Sequence, residues 1–206
     1  RPDTMPRSGP GFGRLLREGF EFSAARHGPL PTETAPGHAA LLTGRFPADT
    51  GIVANEWWHA AVGRRIEAAE DPAGGPAGAQ NLLVPTLGDL IKERIPSSKT
   101  VSVAAKDRSA VLMGGHAADL ALWFHKKEGA FASSSRYPAL PGWVADFNRA
   151  LALPAGGRLG FSATTAGDAA ALSLALSAVK EMGLGQDEAA DLLTVSLAAN
   201  DLIGHA

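Results

Sequence analysis

Thr34 heads the run Ala35-Pro36-Gly37, ahead of the helix-compatible stretch His38 to Leu42 and a glycine stop at Gly44, so its hydroxyl stands where a helix begins. N–H groups at a helix start are unpaired and carry the positive end of the helix dipole, which suits an anion such as phosphate. Twenty-one residues later Asn55 follows the short apolar run Ile52 to Ala54, so an amide can return to the same place. Lys106 and Arg108 close the β-type run Thr100 to Ala105. Residues two apart in extended chain point the same way, so this pair can converge on one anion while Asp107 points elsewhere. Asp201 and His205, at i and i+4 past the run Leu192 to Leu197, share one face of a helical turn, and carboxylate plus imidazole suits Zn²⁺. A threonine hydroxyl is weakly nucleophilic until a base or a metal stabilises its alkoxide, so Thr34 as a nucleophile would need a metal beside it. Each feature alone also has a plain reading: an N-cap for Thr34, solvated charges for Lys106 and Arg108, a surface pair for Asp201 and His205.

The elements that must hold these residues alternate. Gly11 to Gly19 reads as a short amphipathic helix, with an extended stretch Phe20 to Ala25 before the Thr34 turn. The Gly9-Pro10-Gly11-Phe12-Gly13 cluster lacks the GxGxxG spacing and a preceding strand, and reads as a turn. Glu70 to Asn81 is a loop of small residues, Thr86 an N-cap for a helix Leu87 to Ile95, and Ala121–Phe124 with Gly129–Ser133 a hairpin. Pro141 to Ala150 and Thr165 to Met182 read as helices, and Leu192 to Leu197 as a buried strand. Strands alternating with helices predict an α/β fold whose mostly parallel sheet is covered on both sides, with sites at the carboxyl ends of the strands.

The totals fit one such domain. A 206-residue chain buries roughly 70% of its unfolded surface. Hydrophobic content is 45%, with 24 glycines and 14 prolines. The net charge of −2 and pI near 6.3 imply no general polyanion-binding face, so nucleic acid is not expected as a partner and phosphate affinity must be local. Cysteine is absent, which removes disulfides, thiolate metal sites and cysteine nucleophiles. No apolar run is long enough for a membrane span and no signal peptide is visible. The chain opens Arg-Pro-Asp and stops one residue after His205, so both ends are expected to be cut.

The segment from Thr32 to Asn55 resembles the nucleophile motif of the type I phosphodiesterase, nucleotide pyrophosphatase and alkaline phosphatase clan of the alkaline phosphatase superfamily. Further anchors in the family's order are Lys106-Asp107-Arg108, Gly115 to Asp119, Ser133 to Ser135, Trp143 to Asn148 and Asp201 to His205. The resemblance implies a three-layer fold, incomplete here, with residues 1–206 as the N-terminal part of one catalytic domain. It implies a phosphate monoester hydrolase working through a phosphothreonine at two divalent metals, zinc by ligand type. Thr34 would be the metal-bound nucleophile, Asn55 would hold a phosphoryl oxygen, and Asp201 and His205 would bind one metal. The Lys106/Arg108 pair marks the alkaline phosphatase branch and would read the dianionic end of a monoester. A phosphodiesterase or nucleotide pyrophosphatase of the same clan, and a non-catalytic module with an incomplete metal site, are the alternatives. The family's other ligands, an Asp on the first strand and a later Asp-His pair plus a His, have no counterpart here, so the chain alone is expected to be inactive. The family also implies a small phosphate ester as substrate and a periplasmic or secreted setting. Oligomeric state is left open. His38 and His116 match family positions and are expected to be structural, donating to backbone near the turn, while His27, His59 and His125 have no ligand spacing. Trp57 and Trp58 could flank a substrate group or pack at an edge.

Overall fold

The computed structural model describes residues 9–26, 28, 32–151, 153 and 160–205. Both chain ends and His27 lie outside the described residues. The main sheet is built from β3 (Thr100–Ala104), β4 (Leu120–His125), β5 (Ala130–Ala132) and β6 (Leu192–Ser196), in the order β5-β4-β3-β6. β3 runs parallel to both β4 and β6, while β5 returns antiparallel beside β4 as the expected hairpin.

Alternation along the two central strands sorts their side chains to two faces. Val101, Val103, Leu120, Leu122 and Phe124 join one core with Val144 of helix α6 (Gly142–Ala150) and Leu174 of α7 (Thr165–Met182). Ala104, Ala121 and Trp123 face the other way, against Ala35 and Ala39 of α2 (Thr34–Thr43) and Val111 and Leu112 of α5 (Asp107–Gly114). Helices therefore cover both faces, giving an α/β fold with a mixed sheet, as the alternation implies. Ordered before them are α1 (Phe12–Glu18), α3 (Pro47–Thr50), the strands β1 (Glu56–His59) and β2 (Arg64–Glu67), and α4 (Leu87–Arg94); the short α8 (Ala199–Gly204) closes the order.

Two expectations need correction. Phe20 to Ala25 forms no strand: the Ala25 N–H closes a turn on the Phe22 carbonyl, and Phe20 and Phe22 are exposed, with no strand among the described residues paired to them. β6 is half-buried rather than buried, because among the described residues only β3 pairs with it. On α7, Leu174 is buried but Leu172 and Leu176 face solvent. The antiparallel hairpin β1–β2 went unforeseen, since its polar sequences carry little alternation; Ile66 and Trp57 supply its inward contacts.

Thr86 caps α4 as expected, in a capping box with Asp89. Gly115, at φ +80°, lets the chain pass so close to this box that a Cβ there would collide with the Thr86 hydroxyl. Asp89 also holds His116: Nδ1 lies 3.0 Å from Asp89 Oδ2, and Nε2 lies 2.9 Å from the Leu82 carbonyl. The side-chain bond to Asp89 raises the His116 pKa from 6.5. Burial pushes the Asp89 carboxyl up, but hydrogen bonds from His116, Thr86 and Ala117 outweigh it and hold the group well below its ordinary 3.8. The Asp89 contribution is therefore present above 3.8 and lost as pH falls, whereas that of His116 is complete below 6.5 and lost as pH rises through its raised folded value. Thermal melts of the protein and of His116→Gln should differ most between pH 3.8 and 6.5 and converge as pH rises through the raised folded value of His116. A gap that stays constant over that range would show that the pair does not titrate in this way.

Candidate active site

α2 begins at Thr34, with Glu33 in extended backbone as its N-cap. Thr34 is thus the first helical residue and not the cap, which removes the plain N-cap reading for its hydroxyl. Gly44, left-handed at φ 66°, ends the helix where expected. The Ala35 N–H donates to Asn55 Oδ1 at 2.8 Å, so the amide does return to the helix start. The Asn55 N–H in turn donates to Glu33 Oε2 at 2.6 Å.

His38 sits one turn further along α2. Burial lowers its pKa, so the ring is neutral near pH 7. Its Nδ1–H donates to the Thr34 carbonyl at 2.7 Å, leaving Nε2 to accept from the Ser196 hydroxyl at 3.1 Å. The imidazole thereby fastens the first turn of α2 to the carboxyl end of β6, a structural role of the expected kind. Just beyond β6, Asp168 of α7 accepts the N–H groups of Ala198 and Ala199 at 2.9 and 3.1 Å and so fixes the start of α8, which carries Asp201.

Lys106 lies past the end of β3 as the N-cap of α5, and Arg108 lies in the first turn of that helix. The extended-chain rule that would aim both side chains one way stops applying once α5 begins. Lys106 opens on a cleft of roughly 790 Å³ that also takes in Thr34, His38, Ser196 and Asp201. Arg108 opens on a polar concavity of roughly 590 Å³ shared with Asn55, Glu56, Arg65 and Glu67. Glu33 borders both. The structure therefore brings Thr34, Lys106 and Asp201 into one cleft and Asn55 and Arg108 into its neighbour. Arg108 Nε is buried with no hydrogen-bond partner among the described residues, a donor suited to an anion.

Lys106 Nζ donates to Asp201 Oδ2 at 2.6 Å and, with the further charge of His205, holds that carboxyl below its ordinary value. On its other oxygen, Asp201 Oδ1 lies 3.5 Å from His205 Nε2. Two ligands about 2.1 Å from one tetrahedral Zn²⁺ lie about 3.4 Å apart, so the pair fits a shared zinc in kind and spacing. It does not fit in number: among the described residues no group of three or more His, Asp or Glu side chains comes together. His205 is 76% exposed and meets the cleft through Asp201.

Sequence reasoning missed Glu33, Ser196 and Asp168. Each acts through long-range hydrogen bonds, and an acidic or hydroxyl residue without a spacing partner gives no signal for that. Trp57 packs on the core while Trp58 is exposed, which favours edge packing over a substrate clamp. No described helix is long and apolar enough to cross a membrane.

With this geometry in hand, comparison with known proteins is informative. The family described as type I phosphodiesterase / nucleotide pyrophosphatase matches residues 1–206. The alkaline phosphatase PhoD of Zymomonas mobilis is 37% identical over 239 residues, covering 94% of this chain and 41% of PhoD. The alkaline phosphatase PafA of Elizabethkingia meningoseptica is 28% identical over 254 residues, covering 95% of this chain and 46% of PafA. The crystal structure of wild-type PafA superposes with a TM-score of 0.88 at 26% identity, over 95% of this chain and 49% of that one. A PafA variant also matches, with a TM-score of 0.78 at 26% identity over 85% of this chain and 45% of that one. It is substituted at a threonine and an asparagine 21 positions apart and at a lysine and an arginine two apart. The chain spans less than half the length of the curated relatives it matches.

Proposed function

The chain belongs to the type I phosphodiesterase / nucleotide pyrophosphatase family of hydrolases, and we propose that it forms the N-terminal part of the catalytic domain of a phosphate monoester hydrolase, alkaline phosphatase in type, with Thr34 as nucleophile. The observation that carries this is the junction at the start of α2, where Thr34 opens the helix, Asn55 grips the next N–H, and Lys106 and Arg108 flank it on either side of Glu33. The same four residue types, at matching spacings within each pair, are those replaced together in the PafA variant, which supports the assignment.

In this proposal the Thr34 oxygen attacks phosphorus in line, forming a threonine–phosphorus bond as the bond to the alcohol oxygen breaks. Water then cleaves the phosphothreonine to release phosphate. The amide NH₂ of Asn55, the ammonium of Lys106 and the guanidinium of Arg108 take the non-bridging oxygens; Lys106 has two N–H donors left beyond the one given to Asp201. Thr34, Asp201 and His205 would contribute to holding two divalent ions, zinc by ligand type, whose charge would stabilise the threonine alkoxide and the leaving oxygen. A small phosphate ester is the substrate and a periplasmic or secreted setting goes with it. A full-length parent should turn over an aryl monoester faster than the matched diester. The reverse preference would favour the diesterase reading.

With only Asp201, His205 and Thr34 as ligands, the 206-residue chain alone should bind zinc weakly and show little phosphatase activity, since zinc sites take three or four protein ligands. Calorimetric zinc titration beside an aryl phosphate assay checks both. Sub-micromolar affinity with robust turnover would show that the ligand assignment is wrong.

A further inference from the structure

Resting on the role given to Asn55 above, we infer that Glu33 is a positioning residue for the reaction, one that sets the direction in which Asn55 presents its amide donor. The bonds around Asn55 determine that direction. A backbone N–H can only donate, so the Asn55 atom facing the Ala35 N–H must be the carbonyl oxygen Oδ1, at 2.8 Å. The NH₂ group then points away from the helix backbone. Rotating the amide would put two donors face to face and leave a helix-start N–H without its partner.

What keeps Asn55 in register is its own backbone. Its carbonyl accepts the Ala68 N–H at 2.9 Å, tying it to the end of the hairpin, and its N–H donates to Glu33 Oε2 at 2.6 Å, tying it to the residue before the nucleophile. Glutamate is a poor N-cap, the favoured residues being Ser, Thr, Asp and Asn. Glu33 makes no side-chain bond to its own helix. Its carboxylate reaches across to Asn55 instead, and Asn55 satisfies the Ala35 N–H in its place. The two side chains thus cross between the segments, Glu33 accepting from the Asn55 N–H and Asn55 from the Ala35 N–H. Among the described residues the Glu33 arm is what links the Asn55 backbone to the residue preceding Thr34, so removing it leaves the amide tied to the helix start by its side-chain bond to Ala35 alone and lets it shift, while the Ala68 tie stays intact.

The test uses the full-length parent carrying Glu33→Ala, Glu33→Gln, Glu33→Asp, Asn55→Ala and the Glu33→Ala/Asn55→Ala pair, with kcat and KM measured on an aryl phosphate monoester and a thermal melt for each. Displacing a donor by about 1 Å costs on the order of 10² in rate, so Glu33→Ala should lower kcat roughly 10- to 100-fold with a smaller change in KM. Glutamine keeps an acceptor of the same reach and should recover most of that loss. Aspartate keeps the charge but falls short of the Asn55 N–H and should behave like alanine, which preserves the test should Glu33→Ala not fold. In the Asn55→Ala background, Glu33→Ala should add almost nothing, because its effect passes through the missing amide.

A full loss persisting in that background, or glutamine as poor as alanine, would overturn the inference; the first would mean a general structural role and the second an effect of charge. Sensitivity to Asn55→Ala with silent Glu33 variants would sink the inference alone. Unchanged turnover in Asn55→Ala would sink the assignment of Asn55 and this inference with it.

Discussion

Substituting Thr34→Ala in a full-length parent is expected to abolish monoester turnover, lowering kcat by about 10³-fold or more, since removing the proposed nucleophile leaves only binding and electrostatic stabilisation. Three other hydroxyls line the cleft, those of Thr32, Ser109 and Ser196. Ser196 is engaged with the imidazole of His38, and none of the three stands at the start of α2. Thr34→Ser should therefore retain much of the rate that alanine loses. Intact-mass analysis of acid-quenched enzyme should show a phosphoryl adduct in the parent and none in Thr34→Ala. Near-normal turnover in the alanine variant would end the nucleophile assignment.

Replacing Lys106 and Arg108 together by alanine should reduce kcat/KM for an aryl monoester by roughly 10²- to 10³-fold, with a loss at least about tenfold smaller on the matched diester, because the diester carries less charge for the pair to stabilise. The single variants separate two effects that the double variant merges. Lys106 also holds the carboxylate of Asp201, so Lys106→Ala disturbs a proposed metal ligand and should cost something on either substrate. Arg108 makes no bond to Asp201, which makes Arg108→Ala the cleaner reporter of monoester preference. Equal losses on monoester and diester in Arg108→Ala would favour a phosphodiesterase.

Much of this molecule was legible before any coordinates. The Thr86 cap, the bounds of α7, the hairpin of β4 and β5, and the approach of Asn55 to the Thr34 turn all rest on local signals: a capping residue, a helical period, a turn, a spacing. The misses share a cause. Lys106 and Arg108 were given the geometry of a strand because the strand ahead of them was clear, whereas α5 begins at Asp107. β6 was expected to be buried because its residues are apolar, but burial depends on neighbours that no local pattern reports. Glu33 carries no signal because a lone glutamate before a helix does not show that its carboxylate reaches the Asn55 N–H. The remaining metal donors were not legible at all, and the described residues do not supply them.

The pairing of β3 with β6 bears on the order in which the chain acquires its structure. Val101 of β3 meets Leu120 of β4 across only 19 residues, whereas Thr100 meets Leu192 of β6 across 92. Closing the longer loop costs about 1.4 kcal/mol more in chain entropy. On a ribosome adding about 5–20 residues per second, β6 also emerges several seconds after β3. The start of α2 and the β3–β4 pair can thus form while β6 and α8 are still being made, so the Asp201 side of the cleft arrives after the Thr34 side. Among the described residues β6 pairs with one strand and β4 with two, so in the 206-residue chain the amides of β6 should exchange with solvent ahead of those in β4.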